Sequence, residues 1–454
     1  MKLSTNYLGT VYQFSTLKDL FAKANEEKSG DRLAGIAAET VQERIAAKEV
    51  LSLLTLSDIR ENPMLPSEED EVSRIIESQI NEPIYQSIKN WSVAELREYI
   101  LSDGTTGENL KRISLGLNSE MIAAVAKLMS NLDLVHAANK LEILTKCNIT
   151  IGQKGVLASR LQPNHPTDNV EGMIASLKEG LSYGIGDAVI GINPVDDSVE
   201  SVKRLLHATQ DFIQDWGIPT QNCVLAHVTT QMKAIEQGAP ADMIFQSIAG
   251  TEAANRSFGI SASLLEEAGE LAKTLGTGTG PQRLYFETGQ GSELSAEAHF
   301  GIDQVTLESR NYGFARYYDP YIVNTVVGFI GPEYLYNNKQ VIRAGLEDHF
   351  MAKMHGIPMG VDICYTNHIK ADQNDIEDLG VLLTAAGVNF IIATPMGDDC
   401  MLNYQSMSYH DVATLRQTLN KRPAPLFEEW LEKMGIFEQG KLSTRAGDPT
   451  IFTR

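Results

Sequence analysis

From about residue 147 onward the chain repeats one pattern: a short β-rich apolar run, a polar or Gly-rich break, then a helical stretch. The runs cover residues 156–161, 188–192, 223–228, 243–245, 284–286, 323–330, 360–365 and 390–393. Their starts lie 32, 35, 20, 41, 39, 37 and 30 residues apart. All but one interval has ample room for a crossover helix, and the 20-residue step still fits the short helical run 232–237. Alternating strands and helices predict a parallel sheet, and eight such units predict a closed (β/α)8 barrel of the TIM type. An open doubly wound sheet is the alternative. To bind a nucleotide it would need a Gly-rich phosphate turn after an early strand, and neither G-x-G-x-x-G nor G-x-x-x-x-G-K-[ST] occurs.

The flanks read differently. Residues 1–146 predict a mainly helical region, rich in charge, with a packing or assembly role. Thr16 and Ser92 each stand three residues before a carboxylate, Asp19 and Glu95, which is the spacing of a capping box. Residues 147–424 hold the barrel. Within it, Gly180-Leu181-Ser182-Tyr183-Gly184 lies ahead of a strand rather than on the turn after one, so it reads as a helix-ending loop and not a nucleophile elbow. Ser408 opens a helix that Pro423 must end. Residues 425–454, with Trp430 and Phe437, read as a docking extension.

Composition narrows the function classes. Hydrophobic residues form 43% and charged residues 21% of the 454, which excludes a disordered, collagen-like or coiled-coil chain. A net charge of −21 without a basic stripe argues against nucleic acid as a partner. The four cysteines form no C-x-x-C pair, so neither a zinc knuckle nor a disulfide framework is indicated. No signal-peptide core stands at the start, and no uncharged apolar run approaches the ~18 residues of a membrane span. A soluble protein of the cell interior, without a membrane partner, is the expectation.

In a barrel the carboxyl ends of the strands converge on one mouth. Here they offer Arg160, Gln162, Asn193, His227, Gln246, Ser247, Glu287, Asn324, Asp362, Asp398 and Asp399. Acids outnumber the one fixed cation, Arg160, so a cationic group is held better than a phosphate or carboxylate. Flanking amides suit hydrogen bonding to a small polar substrate. Glu287 follows an apolar strand, where a carboxylate needs a partner or a function because an unpaired buried charge is costly. A structural ion pair with Arg160 is its plainer alternative. Asp362 stands in Val361-Asp362-Ile363, where an apolar residue is expected; a charge on an exposed edge strand is the plainer alternative. Asp398 and Asp399 read as turn residues.

No strand carries a lysine for a Schiff base, and no cysteine is flanked by a base. His227 is the only good metal-ligand candidate at a strand end, and a lone His there is more often a hydrogen-bonded core residue. A mouth that orients a small amine but lacks a nucleophile points to chemistry carried by a cofactor. Two other readings stay open at this point: a metal-dependent amine lyase or hydrolase using His227, Glu287 and Asp362, and a non-catalytic scaffold of a metabolic assembly.

Longer strings are more specific. They are Arg160-Leu161-Gln162-Pro163-Asn164, Gly186-Asp187-Ala188-Val189-Ile190-Gly191, Leu225-Ala226-His227-Val228-Thr229-Thr230-Gln231 and Tyr285-Phe286-Glu287-Thr288-Gly289-Gln290-Gly291-Ser292. Asn324-Thr325-Val326-Val327-Gly328-Phe329-Ile330-Gly331-Pro332-Glu333-Tyr334 and Gly397-Asp398-Asp399 complete the set. On these the sequence resembles the large (α) subunit family of ethanolamine ammonia-lyase, adenosylcobalamin-dependent enzymes, over essentially its whole length.

The resemblance implies a barrel mouth capped by cobalamin, a separate small subunit completing the cofactor site, and self-association of the large subunit. It implies radical deamination of ethanolamine to acetaldehyde and ammonia, in the cytoplasm within a bacterial microcompartment. The signature D-x-H-x-x-G is absent, so the cofactor is expected to keep its own lower ligand, and no metal site is expected beyond the cobalt it carries. By position, Glu287, Arg160 and Asp362 are the implied catalytic residues. Glu287, Gln162 and Asp362 correspond to ammonium-side contacts, and Arg160 and Asn193 to hydroxyl-side contacts. Val326, Phe329 and Leu402 correspond to apolar wall, and Asn193 and Ser247 lie where the adenosyl group is expected. The pattern departs at Ser257, where the family places a carboxylate near the nucleoside.

Overall fold

Each of the eight apolar runs forms a strand of one parallel sheet. The strands are β1 (Ala158–Leu161), β2 (Val189–Ile192), β3 (Asn222–Val224), β4 (Ile244–Ser247), β5 (Leu284–Thr288), β6 (Ile322–Val327), β7 (Met359–Ile363) and β8 (Phe390–Ala393). They are seen in a computed structural model that describes residues 1–328, 330–399 and 404–453. Hydrogen-bonded neighbours run in the order β3-β2-β1-β8-β7-β6-β5-β4, so β1 pairs with β8 and the sheet curls into a near-closed (β/α)8 barrel. A helix follows every strand, from Val170–Ser182 after β1 to Tyr409–Thr418 after β8.

The remaining junction, between β3 and β4, carries no strand ladder and is joined through side chains. The Asn222 amide N–H donates to Asp242 Oδ2 at 2.9 Å and the Asp242 N–H donates to Asn222 Oδ1 at 2.9 Å. Gln231 donates to the carbonyls of Ala226 (2.6 Å) and Phe245 (2.8 Å) and accepts the Phe245 N–H at 2.9 Å. This satisfies backbone groups that would otherwise be buried without partners. The junction falls at the shortest strand-to-strand step, which is bridged by the helix Val228–Glu236.

Strand limits shift from the sequence expectation for local reasons. Strand β3 stops at Val224 because His227 already caps the next helix, its side chain accepting the Thr229 N–H. Strand β6 stops at Val327 because Gly328 turns the chain at φ +81°, a conformation that favours glycine. Strands β4 and β5 run longer than expected and carry Ser247 and Glu287 within the sheet.

The first 146 residues are mainly helical, with one element the periodicity missed. Ser4–Tyr7 and Thr10–Gln13 form an antiparallel hairpin around Leu8 and Gly9, both at positive φ. Gly9 supplied a turn signal there. Ser92 and Glu95 form the expected reciprocal capping box, whereas Asp19 caps the Ser15 N–H rather than that of Thr16. Fully buried ion pairs tie this region to the barrel helices Gln304–Arg316 and Asn338–Met354. Lys28 meets Glu347 at 2.8 Å, Lys127 meets Asp303, and Arg310 meets Asp70 (2.9 Å) and Glu120 (2.6 Å). One continuous apolar core runs from Phe14 to Phe452.

The last thirty residues fold back on the barrel wall. Trp430, on the helix Pro425–Lys433, donates its indole N–H to the Trp216 carbonyl at 2.9 Å, and Phe452 stacks on Trp430. The helix opened by Ser408 has its capping box with Asp411 and ends at Thr418, before the left-handed Asn420 and well short of Pro423. Gly180 to Gly184 form a helix end, with Gly184 at φ +76°.

Candidate active site

Strand register assembles the mouth. Ser247, Glu287 and Asn324 are direct partners across β4, β5 and β6, and Val326 is paired with Asp362 across β6 and β7. Because side chains alternate along a strand, Tyr285 and Glu287 of β5 share a face, as do Arg160 and Gln162 at the end of β1. Arg160, Gln162, Asn193, Ser247, Glu287, Val326 and Asp362 line one cavity of about 290 Å3. Phe329 and Leu402, the other two residues expected there, lie outside the described residues.

Arg160 is 1% exposed and organises the floor. Its Nη1 donates to the Tyr285 hydroxyl at 2.7 Å and to Glu287 Oε1 at 2.8 Å, and its Nη2 donates to Asn193 Oδ1 at 2.9 Å. Burial opposes its charge, but the Tyr285 hydroxyl and the Glu287 carboxylate outweigh that and raise its pKa. The guanidinium lies across Gly191, where a Cβ would come within 2.6 Å of Arg160 Nε. One Nη2 hydrogen has no partner among the described residues.

Glu287 Oε1 is crowded and Oε2 is not. Oε1 accepts from Arg160, from the Tyr285 hydroxyl at 2.5 Å and from Asn324 Nδ2 at 3.4 Å. Oε2 accepts nothing from the described residues. The ion pair with Arg160 expected as the plainer alternative is therefore present, and it occupies only one oxygen.

Asp362 is fully buried on an inner strand, which overturns the edge-strand alternative. Tyr404 donates to its Oδ2 at 3.0 Å and Ser406 to its Oδ1 at 2.8 Å. Burial pushes its carboxyl up to about 6, with the Ser406 hydrogen bond opposing.

Asp399, read from sequence as a turn residue, is buried and reaches the site from behind. It accepts from Gln162 Nε2 and, at 2.8 Å, from Asn164 Nδ2. A carboxylate only accepts, so it fixes the amide end of Gln162 and leaves the carbonyl Oε1 buried without a donor among the described residues. Neither is a turn residue: Asp398 and Asp399 form a two-residue strand paired with Tyr404 and Gln405, on which Asp398 is exposed and accepts from Gln405 Nε2 at 2.8 Å.

A deeper layer holds the loop that follows Glu287. Thr288 donates to Glu308, and Gln290 and Thr325 donate to Asp348 at 2.7 and 2.9 Å. Burial first, and neighbouring carboxylates second, push Glu308 up to about 7 and Asp348 well above the usual carboxylate range.

His227 is committed to structure. Its Nδ1 pairs with the Thr229 hydroxyl at 2.8 Å and its Nε2 with the Phe258 carbonyl at 3.1 Å. Among the described residues no group of three or more His, Cys, Asp or Glu is placed to hold a metal ion. Cys147, Cys223 and Cys364 are buried free thiols.

Tyr285, Tyr404 and Ser406 were not among the sequence candidates, and Asp399 was among them but read as a turn residue. Tyr285 had a signal, since it stands two residues from Glu287 on one strand. Tyr404 and Ser406 come from the segment after β8, which nothing in the sequence ties to Asp362 on β7.

A parallel barrel with a buried guanidinium, clustered carboxylates and open acceptors at its carboxyl-end mouth is an enzyme of the (β/α)8 class. Comparison narrows that class to one kind. The family model described as ethanolamine ammonia lyase large subunit (EutB) matches residues 12–445, and the chain belongs to that family. The ethanolamine ammonia-lyase large subunits of Escherichia coli strain K12 and of Salmonella typhimurium strain LT2 are each 56% identical to it over 452 residues, covering 100% of both chains.

Proposed function

We propose that this chain deaminates ethanolamine to acetaldehyde and ammonia, using adenosylcobalamin and a small subunit that completes the cofactor site. One observation carries the reading. Glu287 and Gln162 line the same cavity, and Oε2 of one and Oε1 of the other accept no hydrogen bond from the described residues. Of the two only Gln162 Oε1 is fully buried, and a buried acceptor left unpaired costs about 1–3 kcal/mol. An ammonium carries three N–H donors and would supply what Glu287 and Gln162 lack, with the Asp362 carboxylate, already held by Tyr404 and Ser406, as a third acceptor beside it. Such charge-assisted bonds contribute roughly 1.5–3 kcal/mol each.

The hydroxyl end of the substrate then meets Arg160, whose free Nη2 hydrogen can polarise the oxygen as it becomes a carbonyl. Asn193 holds that guanidinium in place at 2.9 Å. Val326, with Phe329 and Leu402, would form the apolar wall that keeps water away from reactive intermediates.

The residues toward the mouth fit a nucleoside. The Ser247 hydroxyl has no partner among the described residues, and Asn193, Ile248 and Phe258 share its cavity. Asn193 and Ser247 would hold the adenosyl group. When bound, adenosylcobalamin supplies the radical that takes hydrogen from the hydroxyl-bearing carbon. The Ser257 hydroxyl donates to the Ala254 carbonyl of its own helix at 2.7 Å, so in this reading it is not the nucleoside contact that a carboxylate at this position would be. The cofactor keeps its own lower ligand in this reading.

The reading also places the chain in a self-associating large-subunit assembly, in the cytoplasm within a bacterial microcompartment. No helix among the described residues is long and apolar enough to cross a membrane. The test is co-expression with a small subunit, followed by mixing the purified complex with adenosylcobalamin and ethanolamine. Acetaldehyde formed only with both is the expected result. A complex that binds the cofactor and forms none contradicts the proposal.

A further inference from the structure

The opposite end of the barrel, where β1 and β8 begin, holds a second cavity of about 500 Å3. Lys140, Lys154, Lys353 and Lys421 line it with a single carboxylate, Glu142. Four lysine side chains around one cavity run against a chain of net charge −21.

Of these side chains Lys353 is buried, while Lys154 and Lys421 reach solvent. Lys353, in the last turn of the helix Asn338–Met354, is 3% exposed, and its Nζ donates to the Gly387 carbonyl at 2.7 Å. Its other two N–H donors have no partner among the described residues. The Nζ groups of Lys154 and Lys421 have no hydrogen bond or ion pair there either. Lys140 is committed to the carbonyls of Ile100 (2.9 Å) and Ser102 (2.8 Å), and Glu142 Oε1 accepts the Lys154 backbone N–H at 3.1 Å. Burial lowers the Lys353 amine to about 7; Glu142 opposes this, while Lys421 and Lys111 add to it. Gly387, at φ +77°, borders the amine, and Asn139 Oδ1 lies on the same side.

We propose that this cavity binds a small phosphoryl anion, held by Lys353 and Lys421 with Lys154 at the rim. Lysines serve phosphate as point charges, and a bound dianion would satisfy the open donors and offset the mutual repulsion. The site is remote from the mouth and independent of the reaction there.

The test is isothermal titration of the full-length chain with inorganic phosphate at fixed ionic strength, with pyrophosphate and ADP as further arms. The expected result is one saturable site per chain, weakened about tenfold or more in Lys421→Gln and in Lys353→Met. Lys421→Gln alters a partly exposed side chain and should leave the melting temperature without phosphate unchanged, so it remains decisive if Lys353→Met fails to fold. Tighter binding of ADP than of phosphate identifies a nucleotide as the source, and equal binding identifies free phosphate. No saturable heat with any of the three, or equal affinity in wild type and Lys421→Gln, overturns the proposal. Stabilisation by phosphate acting only as an excluded co-solute would be the same in both chains.

Discussion

The Tyr285 hydroxyl donates to Glu287 Oε1 across 2.5 Å, two residues along one strand, while Arg160 Nη1 donates to both. Each of the three fixes the other two, and the arrangement turns the second oxygen of Glu287 toward use. Removing the hydroxyl leaves the ion pair but loosens its geometry. Tyr285→Phe should lower kcat for ethanolamine about tenfold, with the melting temperature nearly unchanged. Steady-state kinetics beside a thermal melt checks this, and an unchanged kcat speaks against the triad.

Arg160 meets three side chains through a planar fork that lysine cannot reproduce. Arg160→Lys keeps the charge and loses most of the hydrogen bonds. We expect kcat/KM to fall roughly a hundredfold, about 3 kcal/mol, with a smaller loss in folding stability. Kinetics equal to the parent would contradict a role at the substrate hydroxyl.

Asp362 gives the reaction an acid limb. Burial raises its carboxyl from 3.8 to about 6, so the folded chain holds this proton where the unfolded chain has lost it. The group therefore lowers stability as pH rises from 3.8 through about 6, and its charge, useful to an ammonium, is complete only above that range. With the Glu287 and Arg160 charges facing it, kcat/KM should climb as pH rises through about 6, and Asp362→Asn should lack that limb. An identical pH profile in the variant rules the assignment out.

Stability at low pH has a different origin. Burial alone would raise Glu347, but Lys28 and Arg343 overcome it and lower the carboxyl to about 2. Its contribution is complete above 4.5 and is lost as pH falls through about 2. Lys28→Met removes a fully buried partner and should cost about 3–5 kcal/mol in denaturant unfolding at neutral pH. A cost under about 1 kcal/mol would show the pair to be replaceable.

The fold was legible because all eight strands are apolar runs buried on both faces, and such runs announce themselves without alternation. The junction between β3 and β4 was not, since Asn222, Asp242 and Gln231 replace a ladder with side chains that any loop could carry. At the site, Arg160, Gln162, Glu287 and Asp362 were legible as polar residues where a strand end should be apolar. Asp399 was not, because Pro395 and Gly397 make a turn the simplest reading and its partner Gln162 lies 237 residues away. Tyr404 and Ser406 are recognisable only once the chain has returned them to Asp362.

Everything proposed for the site turns on Glu287 holding the substrate ammonium through its open oxygen. The most direct test is the turnover of Glu287→Gln with ethanolamine, adenosylcobalamin and the small subunit, after circular dichroism has shown the fold intact. The expected result is a kcat lower by two orders of magnitude or more. A near-normal kcat in a folded, cofactor-binding variant would contradict it.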